Sequence, residues 1–200
     1  MPTLGVFGGS FDPPHVAHVL AAAYAASVGD FERVLVVPVY AHAFDKRLVS
    51  FEHRVAMCQH AFSDIARVEV SRVEERLPLP SRTLQTLEAL GREYPGYALR
   101  LIIGSDLLSE AERWHRFDEV ARLAPLFVIG RAGRPHAGPS VDLPPVSSTR
   151  VRELLAEPGS DAAREELSWL VPRRVLDYAR SELLYTQLSS VPPGSPLNGP

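Results

Sequence analysis

A short apolar run near the start of the chain leads directly into a glycine pair and then into a helix start. Residues 3–7 read Thr-Leu-Gly-Val-Phe, residues 8–14 read Gly-Gly-Ser-Phe-Asp-Pro-Pro, and His15 and His18 follow. A buried strand, a glycine turn and a helix N-terminus in this order form the place where a parallel α/β sheet holds phosphate. Because they are three apart, both imidazoles face one side of the helix's first turn. The residues expected to contact a nucleotide's phosphates are Gly8, Gly9, Ser10, Phe11, His15 and His18.

Short apolar runs alternate with segments of helical periodicity along most of the chain. The pattern predicts strands over residues 4–7, 34–37, 68–70, 100–103 and 126–129. It predicts helices over residues 16–26, 51–62, 83–94, 149–156, 162–170 and 173–185, with Ser81 as the N-cap of the third. Stacked βα units of this kind form a doubly wound parallel sheet with ligands at the carboxyl ends of its strands. We therefore expect a single α/β domain with a Rossmann-like fold.

The composition favours one ordinary domain. The chain has 200 residues, a net charge of −3 and one cysteine, Cys58, which lies on the buried face of a predicted helix. We expect the domain to span residues 1–185 and residues 186–200, rich in Ser, Pro and Gly, to form a disordered tail. With neither a basic stripe nor a run of about 18 apolar residues, the chain is not expected to bind long nucleic acid or membranes. The expected location is the cytoplasm.

Asp106 stands at the carboxyl edge of a predicted strand, after the apolar residues 101–103 and the dipeptide Gly-Ser. A carboxylate there can accept hydrogen bonds from ribose hydroxyls or from a metal-bound water. It can also cap the helix that begins at the next residue, and the two roles are compatible.

A cluster of hydroxyls precedes the helix predicted at residues 149–156. Ser147, Ser148 and Thr149 offer hydroxyls and backbone N–H groups, and a helix start favours an anion through its dipole. Arg152, one turn further on, can hold the same phosphates with a bidentate fork. Ser and Thr at this position also serve as ordinary caps. Because the cluster occurs with Arg152 and with the N-terminal motif, we expect it to bind the ligand.

The N-terminal motif resembles the G-x-F-D-P-x-H-x-G-H signature of the nucleotidylyltransferase family, with Ala17 where the family usually has glycine. Residues 146–152 resemble the family's second signature, I-S-S-T-x-x-R. From the N-terminus to about Tyr185, the chain looks like a nicotinate-nucleotide adenylyltransferase. The resemblance implies a Rossmann-like nucleotidylyltransferase fold.

Three further segments carry the resemblance to the nicotinate-specific enzymes. Trp114 follows the Gly-Ser-Asp motif, where family members stack a tryptophan on the pyridine ring. Ser81, Arg82 and Thr83 resemble the family's Ser-Tyr-Thr segment, whose backbone N–H groups hold the nicotinate carboxylate. Here arginine replaces the tyrosine, which suits a carboxylated pyridine better than an amide. Lys46, the only lysine, matches a basic residue of the loop after the second strand.

The reaction implied by the resemblance is attack of a mononucleotide phosphate on the α-phosphorus of ATP. It further implies that His15 and His18 contact the α- and β-phosphates, that Lys46 closes over the triphosphate, and that Arg152 with Ser148 and Thr149 holds the departing pyrophosphate. Mg²⁺ would be bound mainly by phosphate oxygens and water, with no dedicated set of protein ligands.

Two alternatives remain open from the sequence. The first is another adenylyl- or cytidylyltransferase of the same fold, with nicotinamide mononucleotide, pantetheine phosphate or FMN as the acceptor. The second is a nucleotide-binding regulator without catalysis, against which the complete set of His15, His18 and Arg152 argues. A class I aminoacyl-tRNA synthetase also uses a similar His-x-x-His site, but the chain shows no anticodon-binding region.

Overall fold

The protein is built on one sheet of five parallel strands. The computed structural model describes residues 1–41, 48–107, 114–130, 141, 143–157 and 159–186. The strands are β1 (Thr3–Gly9), β2 (Arg33–Pro38), β3 (Val68–Val70), β4 (Ala98–Gly104) and β5 (Leu126–Ile129). Their order across the sheet is β3-β2-β1-β4-β5. The predicted parallel sheet is confirmed.

Helices connect and follow the strands. They are α1 (Val16–Val28), α2 (Phe51–Phe62), α3 (Thr83–Glu93), α4 (Phe117–Leu123), α5 (Ser148–Leu155), α6 (Asp161–Leu170) and α7 (Arg173–Ser181). Short 3-10 helices lie at Val73–Arg76 and Ser105–Leu107. The buried face of α1 consists of alanines only, so this helix can pack closely against the sheet.

Both faces of the sheet are covered by helices. In β2, Val34 and Val36 belong to one apolar cluster, together with residues of α1, α2, α5, α6 and α7. Leu35 and Val37 point the other way, into a second cluster with residues of α3 and α4. Because side chains alternate along a strand, a strand that is apolar at every position must be buried on both faces. The arrangement is therefore doubly wound, as predicted.

The strand order reverses between β1 and β4, and ligands of open α/β sheets bind at such a switch point. The ladder between these strands ends at the pair Val6 and Leu101, although β1 continues to Gly9 and β4 to Gly104. The carboxyl ends of the two strands are thus no longer joined by backbone hydrogen bonds. Because the two strands are parallel, the glycine turn and the Gly-Ser-Asp segment lie at the same edge of the sheet, one on each side of this opening.

One predicted helix is longer than the structure shows. The last helix was expected to reach residue 185, but α7 ends at Ser181, and the chain then turns through left-handed φ angles of 52° at Leu183 and 69° at Tyr185. The expected tail falls almost wholly on residues 187–200, which lie outside the described residues. Over the described ranges, no helix combines the length and the apolarity that crossing a bilayer requires.

Candidate active site

The glycine turn at the end of β1 leaves room for a ligand. Gly8 is exposed, and a Cβ added there would meet no atom within 4 Å. At Gly9, an added Cβ would come within 3.1 Å of the Phe11 ring, so a side chain would disturb the turn. Ser10 is half-buried, and its backbone carbonyl is held from within the protein. The turn therefore presents backbone and open space where phosphate is expected.

Phe11 supports the site from inside the core. Its side chain is 1% exposed, and its backbone takes a left-handed φ of 47°. The ring makes edge contacts with Phe62, at a centroid distance of 6.0 Å, and with His18, at 4.9 Å. The predicted contact of Phe11 with ATP can thus involve only its backbone, since the ring is used to pack against His18.

His15 and His18 form one stacked pair at the start of α1. Their ring centroids are 3.7 Å apart with an interplanar angle of 23°. His15 is the N-cap, and its backbone N–H donates to Nδ1 of His18 at 3.2 Å. Because Nδ1 of His18 accepts this bond, neutral His18 carries its hydrogen on Nε2. The backbone therefore selects the tautomer in which Nε2 can donate to an anion.

The second motif lies directly against the first. Ser147 is the N-cap of α5, and its hydroxyl accepts a bond from the backbone N–H of Arg150 at 3.2 Å. The hydroxyl of Ser148 donates to the carbonyl of Pro13 at 2.9 Å, although the two residues are 135 positions apart. The first turn of α5 is thereby fixed to the segment that leads into α1.

Arg152 makes the same connection one helical turn later. Its Nη1 donates to the carbonyl of Asp12 at 2.7 Å, and its Nη2 donates to the hydroxyl of Thr149 at 3.2 Å. The side chain of Arg152 is 28% exposed, so it is partly accessible to solvent. The structure therefore brings together the two motifs that the sequence predicted to share the phosphates.

Arg54, which the sequence did not indicate as a site residue, supports the site from inside the core. Its buried guanidinium donates to the carbonyls of Ser10 at 3.0 Å, Tyr40 at 3.1 Å and Val49 at 3.0 Å. Burial lowers the pKa of Arg54, and the charge of Asp12 opposes this shift. The available signal was a charged residue between apolar positions on the buried stripe of α2. Arg54 thus joins the turn after β1 to the loop after β2.

Glu74 makes a second internal connection that the sequence did not indicate. This buried carboxylate accepts hydrogen bonds from the hydroxyls of Ser81 and Thr86 and, at 3.4 Å, from the backbone N–H of Tyr40. The prediction that Ser81 caps α3 is wrong, because its hydroxyl donates to Glu74 and Arg82 is the N-cap. Ser81 therefore positions the segment expected to bind the acceptor nucleotide.

The other residues predicted to bind the acceptor lie on the α3 side of the sheet. Arg82 is exposed, and its backbone N–H donates to Oε1 of Gln85 at 2.9 Å. Trp114 is half-buried against the second apolar cluster and meets the Phe117 ring edge-on at 6.2 Å. Thr83 is the first residue of α3 and is half-buried. Trp114 and the start of α3 therefore share one face of the sheet.

The structure does not describe the side chains of two predicted site residues, Asp106 and Lys46. Asp106 occupies the 3-10 helix at the carboxyl end of β4, where the sequence placed it, and only its backbone is described. Lys46 lies outside the described residues.

Cys58 is fully buried on α2, as expected, and burial raises the pKa of its thiol far above the ordinary value. Its thiol therefore remains protonated.

Ala17, the departure from the family signature, faces the core. Its side chain is 5% exposed and lies on the alanine face of α1 with Ala21 and Ala25. We expect Ala17→Val to lower the free energy of unfolding by about 1–3 kcal/mol, because added methyl groups overpack this face. Urea unfolding measures the loss, and Ala23→Val on the same helix is the control. A variant as stable as the wild type but with a raised KM for ATP would show that Ala17 lines the nucleotide instead.

A fold and a site of this kind define the nucleotidylyltransferase class, and a model of the cytidylyltransferase-like family matches residues 6–154. A probable nicotinate-nucleotide adenylyltransferase of Anaeromyxobacter dehalogenans (strain 2CP-C) is 40% identical over 185 residues, which cover 91% of this chain and 96% of the relative. One from Myxococcus xanthus is 39% identical over 186 residues, which cover 91% and 94%. This chain belongs to the nicotinate-nucleotide adenylyltransferases.

A solved structure shares the fold. The Plasmodium falciparum nicotinic acid mononucleotide adenylyltransferase complexed with NaAD superposes with a TM-score of 0.78, at 19% sequence identity, over 92% of this chain and 98% of that one. The family model matches residues 6–154, and helices α6 and α7 come after this region. The structural similarity covers 92% of the chain, so it reaches beyond the residues that the family model matches.

Proposed function

We propose that this protein transfers AMP from ATP to nicotinate mononucleotide, giving nicotinate adenine dinucleotide and pyrophosphate in the synthesis of NAD. The observation that carries the proposal is the direct contact between the two motifs, in which Ser148 and Arg152 donate to the backbone of residues 12–13. The relatives described above bear the name of this activity. We propose the cytoplasm as its location.

The chemistry needs positioning and charge stabilisation rather than a protein nucleophile. An oxygen of the acceptor's phosphate attacks the α-phosphorus of ATP, the bond from that phosphorus to the bridging oxygen breaks, and pyrophosphate leaves with the electron pair. The attacking group is already an anion, so no base has to activate it. The protein contributes donors and cations placed where negative charge accumulates.

We propose a role for each residue of the two motifs, and the geometry of the motifs supports these roles. Nε2 of His18 donates to the α-phosphate, and His15, stacked on it, contacts the neighbouring phosphate. Arg152, whose side chain is partly exposed, is proposed to hold the departing pyrophosphate. The remaining proposed ATP contacts come from Gly8, Gly9, Ser10, Phe11, Asp106, Ser147, Ser148 and Thr149, and Lys46 is proposed to close over the triphosphate.

We propose that a divalent metal enters this site as a partner of the nucleotide. Among the residues that the structure describes, no group of three or more His, Cys, Asp or Glu side chains could hold a metal ion. Asp12, the carboxylate within the motif, is buried and already accepts a hydrogen bond from Tyr185. We propose that Mg²⁺ arrives on ATP, bound by phosphate oxygens and water, and neutralises part of the triphosphate charge.

The start of α3 is proposed to bind the nicotinate carboxylate. The N–H groups of Thr83 and Leu84 cannot reach an intrahelical carbonyl, and the helix dipole favours an anion there. The exposed Arg82 adds a cation at the N-cap. Trp114, on the same face of the sheet, stacks on the pyridine ring in this arrangement.

We expect the enzyme to prefer nicotinate mononucleotide over the nicotinamide form by more than about tenfold in kcat/KM. A carboxylate gains charge-assisted hydrogen bonds worth roughly 1.5–3 kcal/mol each, whereas the amide would direct its NH₂ donors toward donors. Pyrophosphate release with ATP and each mononucleotide measures the preference.

Two variants locate the source of the preference. Arg82→Gln should reduce it, because one cation is lost while the N–H groups remain, and Arg92→Gln at the other end of α3 is the matched control. Equal use of both mononucleotides would contradict this account of α3. An enzyme that uses pantetheine phosphate or FMN as the acceptor, but neither pyridine mononucleotide, would contradict the proposed acceptor.

A further inference from the structure

Tyr185 is a buried residue of the C-terminal segment that reaches the N-terminal phosphate motif. Its hydroxyl donates to Oδ1 of Asp12 at 2.7 Å, across 173 positions of sequence, and lies 4.0 Å from Sδ of Met57. Tyr185 is 7% exposed and Asp12 is 1% exposed. Burial and the charge of Asp12 both raise the pKa of Tyr185, so its hydroxyl keeps its proton and acts as a donor.

The backbone near Tyr185 adopts an unfavourable conformation to make this contact. Leu183 and Tyr185 have φ angles of 52° and 69°, a region that costs energy for residues with a bulky side chain. The hydrogen bond from the Leu184 N–H to the Ala179 carbonyl, at 2.9 Å, holds the turn after α7. The fold thus retains a strained turn whose result is to place one hydroxyl on Asp12.

Asp12 stands between Tyr185 and the cation proposed to hold the leaving group. Nη1 of Arg152 donates to the Asp12 carbonyl at 2.7 Å, and the same nitrogen is 3.8 Å from Oδ2 of the Asp12 carboxylate. The carboxylate therefore accepts its close hydrogen bond from Tyr185, while Arg152 stays at the longer distance. A buried carboxylate that loses a donor draws the nearest cation toward it.

We propose that Tyr185 is a positioning residue for pyrophosphate departure, acting through Asp12 on Arg152. By binding Oδ1 of Asp12, the tyrosine fixes the orientation of the carboxylate and keeps Oδ2 at 3.8 Å from Nη1 of Arg152. The guanidinium then remains available to the phosphates instead of pairing closely with the carboxylate. The inference rests on the role of Arg152 in the proposed function. It assigns a part in the reaction to a residue outside the matched family region, residues 6–154.

Tyr185→Phe removes only the hydroxyl and tests the inference. We expect kcat/KM for ATP to fall about tenfold, the effect of one charge-assisted hydrogen bond. Tyr178→Phe is the matched control, because Tyr178 lies on α7 and its hydroxyl is 2.9 Å from Nδ1 of His53, not from Asp12. The control should keep the wild-type kcat/KM. Urea unfolding of both variants separates any loss of stability from the loss of activity.

A double-mutant cycle with Arg152→Ala distinguishes positioning from a structural role. If Tyr185 acts through Arg152, Tyr185→Phe should cost no further activity once Arg152 is alanine. Calorimetric titration with inorganic pyrophosphate tests the same coupling without turnover. Tyr185→Phe should weaken pyrophosphate binding when Arg152 is present and should have no further effect when Arg152 is alanine. An equal loss in both backgrounds, or a Tyr185→Phe enzyme as active as Tyr178→Phe, would overturn the inference. Coupling to pyrophosphate in a protein that does not use nicotinate mononucleotide would support the inference and contradict the proposed acceptor.

Discussion

The His18→Ala enzyme is expected to turn over about 100- to 1,000-fold more slowly than the wild type, with the KM for the mononucleotide nearly unchanged. The backbone N–H of His15 donates to Nδ1 of His18, so that Nε2 carries the hydrogen that we propose is donated to the phosphate. A donor directed at charge that develops during reaction acts mostly in the transition state, so its loss lowers kcat rather than binding. Steady-state kinetics of pyrophosphate release measure both constants.

Two companion variants make the His18 result specific. His60→Ala removes an exposed imidazole from the end of α2 and should leave kcat unchanged. His18→Gln keeps a side-chain N–H donor and should recover part of the lost rate. A His18→Ala enzyme within threefold of wild-type turnover would exclude the proposed contact between His18 and the α-phosphate.

Replacing Arg54 by methionine should lower the free energy of unfolding by about 3 kcal/mol or more. The change keeps an apolar stem but removes the donors to three backbone carbonyls, which belong to Ser10, Tyr40 and Val49. Removing a buried charge recovers some desolvation energy, but the acceptors left behind lose more. We also expect kcat/KM for ATP to fall at least about tenfold, because the turn after β1 loses its internal support.

Urea unfolding and ATP kinetics measure the two effects of Arg54→Met separately. Arg173→Met is the control, because Arg173 is almost fully exposed and its contact is an ion pair with Asp177 at 3.7 Å. Exposed pairs of this kind contribute little to stability. If Arg54→Met were as stable and as active as the control, the three hydrogen bonds would not hold the site together.

Most of the fold could be predicted from local pattern. The strands at residues 68–70 and 126–129 and the helix at residues 51–62 have the bounds expected from their apolar periodicity. Such elements depend on side chains a few positions apart, so their signal is contained in short windows of sequence. The prediction of α7 was too long because the left-handed turn at Leu183 and Tyr185 is stabilised by a distant contact.

The sequence by itself determined the βα order, the glycine turn with His15 and His18, and the hydroxyl cluster before α5, because each depends on neighbouring residues. Only the tertiary structure decided how these parts are held. Arg54 donates a hydrogen bond to Ser10, which is 44 positions away in the sequence, and Arg152 donates one to Asp12, which is 140 positions away. Folding buries these groups together, and a buried polar group must find a partner wherever the chain supplies one. Which groups become partners depends on the tertiary fold, so these pairings produce no periodic pattern in the sequence.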